Sequence, residues 1–159
     1  MSLQPKGIIP AMVTPVTSQG KINEGALRKL THYLIEGGVH GLFPVGSQGE
    51  FYALTFEEKK RVIEVVVEEA RGRVPVYAGT GAITTREAIA LTQMAEVVGV
   101  SAVSVITPFF IRPSDTELME FFTSIAKATR LPVLLYNNPG RTGVNISADF
   151  VAKASEVEN

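Results

Sequence analysis

The apolar residues of this chain fall into two alternating rhythms. Short runs of consecutive apolar positions occur at Ile8–Val13, Gly41–Val45, Val74–Ala78, Ala102–Ile106 and Pro132–Tyr136. Between them lie longer stretches in which apolar residues recur every three or four positions. A short run without polar alternation predicts a strand covered on both faces, as in a parallel sheet between helices. The recurring stretches predict helices near Glu24–Glu36, Glu57–Arg71, Arg86–Val98 and Asp115–Thr129, with a last one starting at Ser147. In the fourth, Leu118, Phe121, Phe122, Ile125 and Ala126 form one apolar stripe.

Local start and stop signals agree with this division. Thr55 to Glu58, Thr84 to Glu87 and Ser114 to Glu117 each fit a capping box. There the hydroxyl accepts from an early helix N–H and the Glu reaches back to the cap N–H. Gly37, Gly38, Gly72 and Gly99 stand where helices should end. The result is a single α/β domain over residues 1–159, built of five β-α units without a linker or low-complexity segment. Two architectures fit it. One is a partial (β/α)8 TIM barrel; the other is a five-stranded doubly wound open sheet. The local pattern does not separate them.

Composition removes several classes of function. With 45% hydrophobic and 19% charged residues, the chain has the makings of a folded core rather than a disordered segment. A net charge of −1 and the lack of a dense Lys/Arg run leave no electrostatic footprint for nucleic acid. The chain has no cysteine, so disulfides and thiolate metal sites are excluded. His32 and His40 have no partner histidine at helical ligand spacing, so no metal is expected. No run reaches the ~18 apolar residues of a membrane span. Met1 to Gly7 lacks the apolar stretch of a secretory signal, and a cytoplasmic protein is expected.

Parallel-sheet enzymes place their chemistry at the carboxyl ends of the strands. The polar residues there are Thr14, Ser47, Gln48, Thr80, Thr107 and Tyr136. The loop Gly46-Ser47-Gln48-Gly49-Glu50 offers backbone N–H donors and a hydroxyl, which can receive a carboxylate or simply make a turn. It is not a P-loop, because no Gly-Lys-Ser/Thr closes it. Gly79-Thr80-Gly81 has the beginning of a dinucleotide turn, but Thr84 stands where the third glycine belongs. Tyr136 can shuttle protons or pack at a strand end. Arg141 can grip a carboxylate or stay a solvated loop charge. Lys153, the only lysine after Tyr136, lies in the last predicted helix and reads as a surface charge. A Schiff-base lysine must instead be partly desolvated.

The run Tyr136-Asn137-Asn138-Pro139-Gly140-Arg141-Thr142-Gly143, taken with Gly46 to Glu50, resembles motifs of the dihydrodipicolinate synthase / N-acetylneuraminate lyase family. The resemblance continues to the start of the chain, through Gly7-Ile8-Ile9-Pro10-Ala11-Met12-Val13-Thr14-Pro15. It implies a (β/α)8 barrel that binds pyruvate, or a related 2-oxo acid, as a Schiff base on a lysine. Counted from Tyr136, that lysine falls beyond Asn159, so this chain is expected to be the N-terminal part of such a lyase and inactive alone. The alternative is a non-catalytic half-barrel or open-sheet module for assembly or anion binding.

The same resemblance implies the roles. Tyr136 and Ser47 would be catalytic, Tyr136 as the proton relay. Ser47 with Gly46, Gln48 and Gly49 would hold the pyruvate carboxylate. Gln48 departs from the threonine common at its position, which keeps the N–H role and removes a hydroxyl relay. Arg141 would grip the carboxylate of a second substrate. No cofactor is implied, because the protonated imine is itself the electron sink. The family's dihydrodipicolinate synthases carry two tyrosines after the proline of the Thr107-Pro108 step, one of which reaches a neighbouring subunit. Phe109 and Phe110 stand there instead. They cannot pass a proton, which points towards keto-acid aldolases and sugar-acid dehydratases. A homo-oligomer is expected, with no nucleic-acid or membrane partner.

Overall fold

A computed structural model describes residues 3–159; Met1 and Ser2, the first residues of the segment read against a secretory signal, lie outside the described residues. The elements are α1 (Glu24–Glu36), α2 (Phe56–Ala70), β1 (Tyr77–Gly79), α3 (Thr85–Val98), β2 (Ala102–Ile106), α4 (Asp115–Lys127), β3 (Val133–Tyr136), α5 (Pro139–Thr142) and α6 (Ala148–Ala154). Two short 3-10 turns, Ser47–Gly49 and Phe51–Ala53, precede α2. No helix among the described residues is long and apolar enough to cross a membrane.

The helices follow their local signals. Thr55 and Ser114 form complete capping boxes with Glu58 and Glu117. The third box is half made. The Thr84 hydroxyl accepts from the Glu87 N–H at 3.3 Å, but the Glu87 carboxylate lies 3.8 Å from Lys59 Nζ on α2. At the other end of α2 the left-handed cap is Arg71, at φ 49, one position before the expected Gly72. Gly99 closes α3 with φ 93, a conformation glycine adopts without steric cost.

β1, β2 and β3 form a parallel sheet in that order, with Tyr77 opposite Ala102 and Val103 opposite Val133. The expected strands at Ile8–Val13 and Gly41–Val45 are present only as isolated parallel bridges, Ala11 to Phe43 and Leu42 to Val76. Proline is the reason. Pro10, Pro44 and Pro75 have no N–H, so each gives the ladder only a carbonyl. Those carbonyls accept from Phe43 at 3.1 Å, Gly79 at 3.0 Å and Leu42 at 3.0 Å. Val45 then ends the second segment in the left-handed region at φ 59.

Counting these two segments, neighbours in space follow the order of the chain. The helices do the same: α1 packs on α2, α2 on α3, α3 on α4 and α4 on α6. A doubly wound sheet reverses its strand order at a switch point and carries helices on both faces. Among the described residues there is no such reversal.

The core lies between this sheet and the helices. α2 contributes Val62, Ile63, Val65 and Val66, α3 Leu91 and Ala95, β2 Val103 and Val105, and α4 Phe121, Phe122 and Ile125, all buried. Two-face burial holds at the centre of the sheet and fails at its flanks. β2 is buried at every position but Ser104, whereas β3 is half-buried throughout. On the opposite flank Ile8 is 66% exposed and Val13 55%. Among the described residues β3 has a strand on one side only; on the other, the Val133 N–H donates to the Asn159 carbonyl at 3.1 Å.

Candidate functional site

The carboxyl ends of the strand segments bring Ser47 and Tyr136 together across 89 positions of sequence. Their oxygens lie 3.5 Å apart, each side chain half-buried. Tyr136 closes β3, and its ring meets Phe43 edge-on at 6.3 Å. Asn138, two residues on, turns back so that its Nδ2 donates to the Tyr136 phenol oxygen at 3.0 Å. With the amide occupying an acceptor lone pair, the phenol proton is free to point at Ser47 Oγ or at a reacting atom set between them.

The Ser47 turn is fixed from two sides. The Gly49 N–H donates to the Gly46 carbonyl at 3.0 Å and the Glu50 N–H to the Ser47 carbonyl at 3.2 Å. Thr14 Oγ1 donates to the Gly49 carbonyl at 2.8 Å. Gly46 and Gly49 are buried and Gln48 is exposed. A side chain at Gly49 would press on the Met12 carbonyl at 3.0 Å, so this glycine permits close packing of the turn on the first segment. Since the Gly49 N–H is spent inside the turn, the donors at its open start are those of Ser47 and Gln48.

The loop after β3 is held as firmly. Asn137 Oδ1 accepts from the Ile146 N–H at 3.1 Å, and its Nδ2 donates to Asn145 Oδ1 at 3.0 Å. Thr142 is the hub. Its hydroxyl accepts from Thr107 Oγ1 at 2.9 Å and from the Val144 N–H at 3.2 Å, and lies 3.2 Å from the carbonyls of Asn138 and Val144. This frame presents Arg141, which is exposed, at the rim of a cleft of about 220 Å³. Ser47 and Thr142 also line the cleft, and its apolar walls are Phe51, Tyr52, Phe109 and Ile106. Phe110 does not line it. That residue is 94% exposed and held at φ 74, a backbone state unfavourable for a bulky side chain.

Not every polar strand-end residue faces the site. Thr80 is fully buried and accepts from Thr92 Oγ1 on α3 at 3.0 Å. Thr107 is spent on Thr142, and Thr14 on Gly49. Gly79 and Gly81 are close-packing glycines; a Cβ on Gly79 would fall 2.1 Å from the Val45 carbonyl oxygen, and one on Gly81 2.5 Å from Ile106. Among the described residues no cluster of three or more His, Asp or Glu side chains is placed to hold a metal ion. His32 pairs with Glu36 at 3.0 Å, and His40 Nδ1 accepts from the Ile8 N–H at 3.0 Å.

Two neighbours of the site escaped the sequence reading. Asn138 lies inside the quoted run, but only the structure shows its amide on Tyr136. Lys59 is 6% exposed, with Nζ 5.9 Å from the centre of the Phe51 ring. Its place in α2 gives no sign of that burial, since its neighbour in sequence, Lys60, faces Glu64 on the helix surface.

The dihydrodipicolinate synthetase family model matches residues 4–159. The 4-hydroxy-tetrahydrodipicolinate synthase of Phenylobacterium zucineum is 47% identical over 154 residues, which are 97% of this chain and 52% of that protein. The crystal structure of dihydrodipicolinate synthase from Aquifex aeolicus superposes with a TM-score of 0.93 at 37% identity, over 96% of this chain and 52% of that one. The chloride-inhibited dihydrodipicolinate synthase of Acinetobacter baumannii complexed with pyruvate gives 0.92 at 40% identity, over 94% and 51%. The chain thus spans about half the length of the relatives it matches.

Proposed function

Because this chain belongs to the dihydrodipicolinate synthetase family, we propose that it forms the first five β-α units of a (β/α)8 lyase acting on pyruvate or a related 2-oxo acid. The reaction is of dihydrodipicolinate synthase or keto-acid aldolase type. The chain-ordered neighbours and the half-open flanks of the sheet support the partial barrel. A pyruvate complex among the structural relatives supports the substrate.

The observation that carries the mechanism is the Tyr136 phenol held between Asn138 Nδ2 and Ser47 Oγ beside the Arg141 cleft. In this reading a lysine beyond Asn159 condenses with the ketone of pyruvate and releases water. Tyr136 moves protons to and from the imine and enamine, with Asn138 fixing the direction of its O–H. Ser47 and the N–H groups of Ser47 and Gln48 receive the pyruvate carboxylate. Arg141 receives the carboxylate of the second substrate through its bidentate fork. Gly46 and Gly49 let the turn approach closely, and the Gly49 N–H is spent within it.

Among the described residues no lysine is both buried and unengaged. Lys153 is exposed on α6, and Lys59 is engaged by Glu87 and Phe51. Borohydride reduction in the presence of pyruvate tests the proposal by intact mass. Residues 1–159 alone should stay unmodified, and a form extended beyond Asn159 should gain one reduced pyruvate on a lysine of the extension. An adduct on Lys59 or Lys153, or none in the extended protein, would overturn it.

A further inference from the structure

The cleft at Arg141 has one charged group and almost no uncommitted hydroxyl. Thr142 Oγ1 is already engaged by Thr107, Val144 and Asn138. Ser47 Oγ faces the Tyr136 phenol. Of the remaining lining residues, Phe51, Ile106 and Phe109 are apolar and Tyr52 brings a ring with a single hydroxyl. No carboxylate lines the cleft.

The aromatic wall is preformed. Phe51 is buried and meets Phe109 edge-on at 5.7 Å and Tyr52 at 5.9 Å. Behind it the Lys59 ammonium sits over the ring, itself paired with Glu87. With Phe51 and Phe109 already packed edge-on, this surface offers its contact area with little ordering of those two rings.

From these observations we infer that the cleft selects a small carboxylic acid with an apolar body over one bearing a polyhydroxylated body. The inference rests on the lyase reading for its identity as the second-substrate subsite. Arg141 would bind the carboxylate of either kind. The discrimination comes from the body. An apolar chain or ring fills the space between Phe51, Tyr52 and Phe109. A polyol brought to the same place meets ring faces instead of hydrogen-bond partners and buries less apolar area than a phenyl body, a difference worth about tenfold or more in binding.

Calorimetric titration of the full chain with 3-phenylpropanoate and with gluconate, two monoanions, is the test. We expect 3-phenylpropanoate to bind at least about tenfold tighter. Tyr52→Ser, at an exposed position that leaves the core intact, should narrow that ratio, and Arg141→Gln should weaken both acids together. Equal binding, a preference for gluconate, no binding of either acid, or a ratio untouched by Tyr52→Ser would overturn the inference. Selective binding of 3-phenylpropanoate without a pyruvate adduct in the extended protein would sink the lyase reading and leave this inference standing. An adduct together with a preference for gluconate would do the reverse.

Discussion

At Tyr136 the Asn138 amide and the Ser47 hydroxyl meet the phenol oxygen, while the Phe43 ring packs against the Tyr136 ring in a T-shaped pair. Phenylalanine at this position would keep the ring contact and lose both polar ones. In the extended lyase, Tyr136→Phe should therefore fold normally and lose about 10²–10⁴-fold in turnover, the usual share of a general acid–base group. Steady-state kinetics beside a thermal melt checks this; turnover near that of the parent would reduce Tyr136 to a packing residue. At this scale the sequence singles out Tyr136, Ser47 and Arg141 through its motifs, and the fold sets Tyr136 beside Ser47 and Ser47 on one cleft with Arg141. The sequence was silent on Lys59, Asn138 and the Thr107–Thr142 pair. Their surroundings are assembled from distant segments or from a backward turn that residue type does not encode. Thr80 misled for the same reason: its place at a strand end is local, and its turn towards Thr92 is not.

The helices were legible because their boundaries are local chemistry. A hydroxyl and a glutamate three residues apart make the caps of α2 and α4 with no help from tertiary structure. The third box shows the limit, since a lysine on another helix draws Glu87 away. The first two strands were legible as apolar runs but not as ladders, because their prolines remove donors. Between α1 and α2 a set of ion pairs adds a pH response. Arg61 binds both oxygens of Glu24 at 2.7 Å, and its hydrogen bonds hold that carboxyl below its ordinary value of 4.5. Arg28 does the same to Glu68. A carboxyl with a depressed folded pKa stabilises fully above its unfolded value and loses that contribution as pH falls through the folded one. The melting temperature should thus be steady from neutral pH down to about 4.5 and fall below it. Arg61→Ala should flatten the fall. The effect is small for each exposed pair, so an acid limb unchanged by Arg61→Ala would locate the response elsewhere, for example at Glu58, lowered mainly by the Thr55 N–H.

On the scale of the whole molecule, the flanks decide its behaviour in solution. β3 is half-buried, Ile8 and Val13 are exposed at the opposite flank, and Phe110 stands 94% exposed near the site. Unpaired strand edges and exposed large apolar side chains both favour pairing with another chain. Residues 1–159 should associate as concentration rises, measured by light scattering across a dilution series. A compact monomer at every concentration would contradict the partial-barrel proposal and favour a self-sufficient sheet.

The prolines that thin the ladder also act on how it forms. Pro10, Pro44, Pro75 and Pro132 each present a carbonyl to the neighbouring segment and have no donor of their own. At each of these four positions the neighbouring segment meets an acceptor with no donor beside it, so any register that set a carbonyl against one of them would leave that carbonyl without a partner.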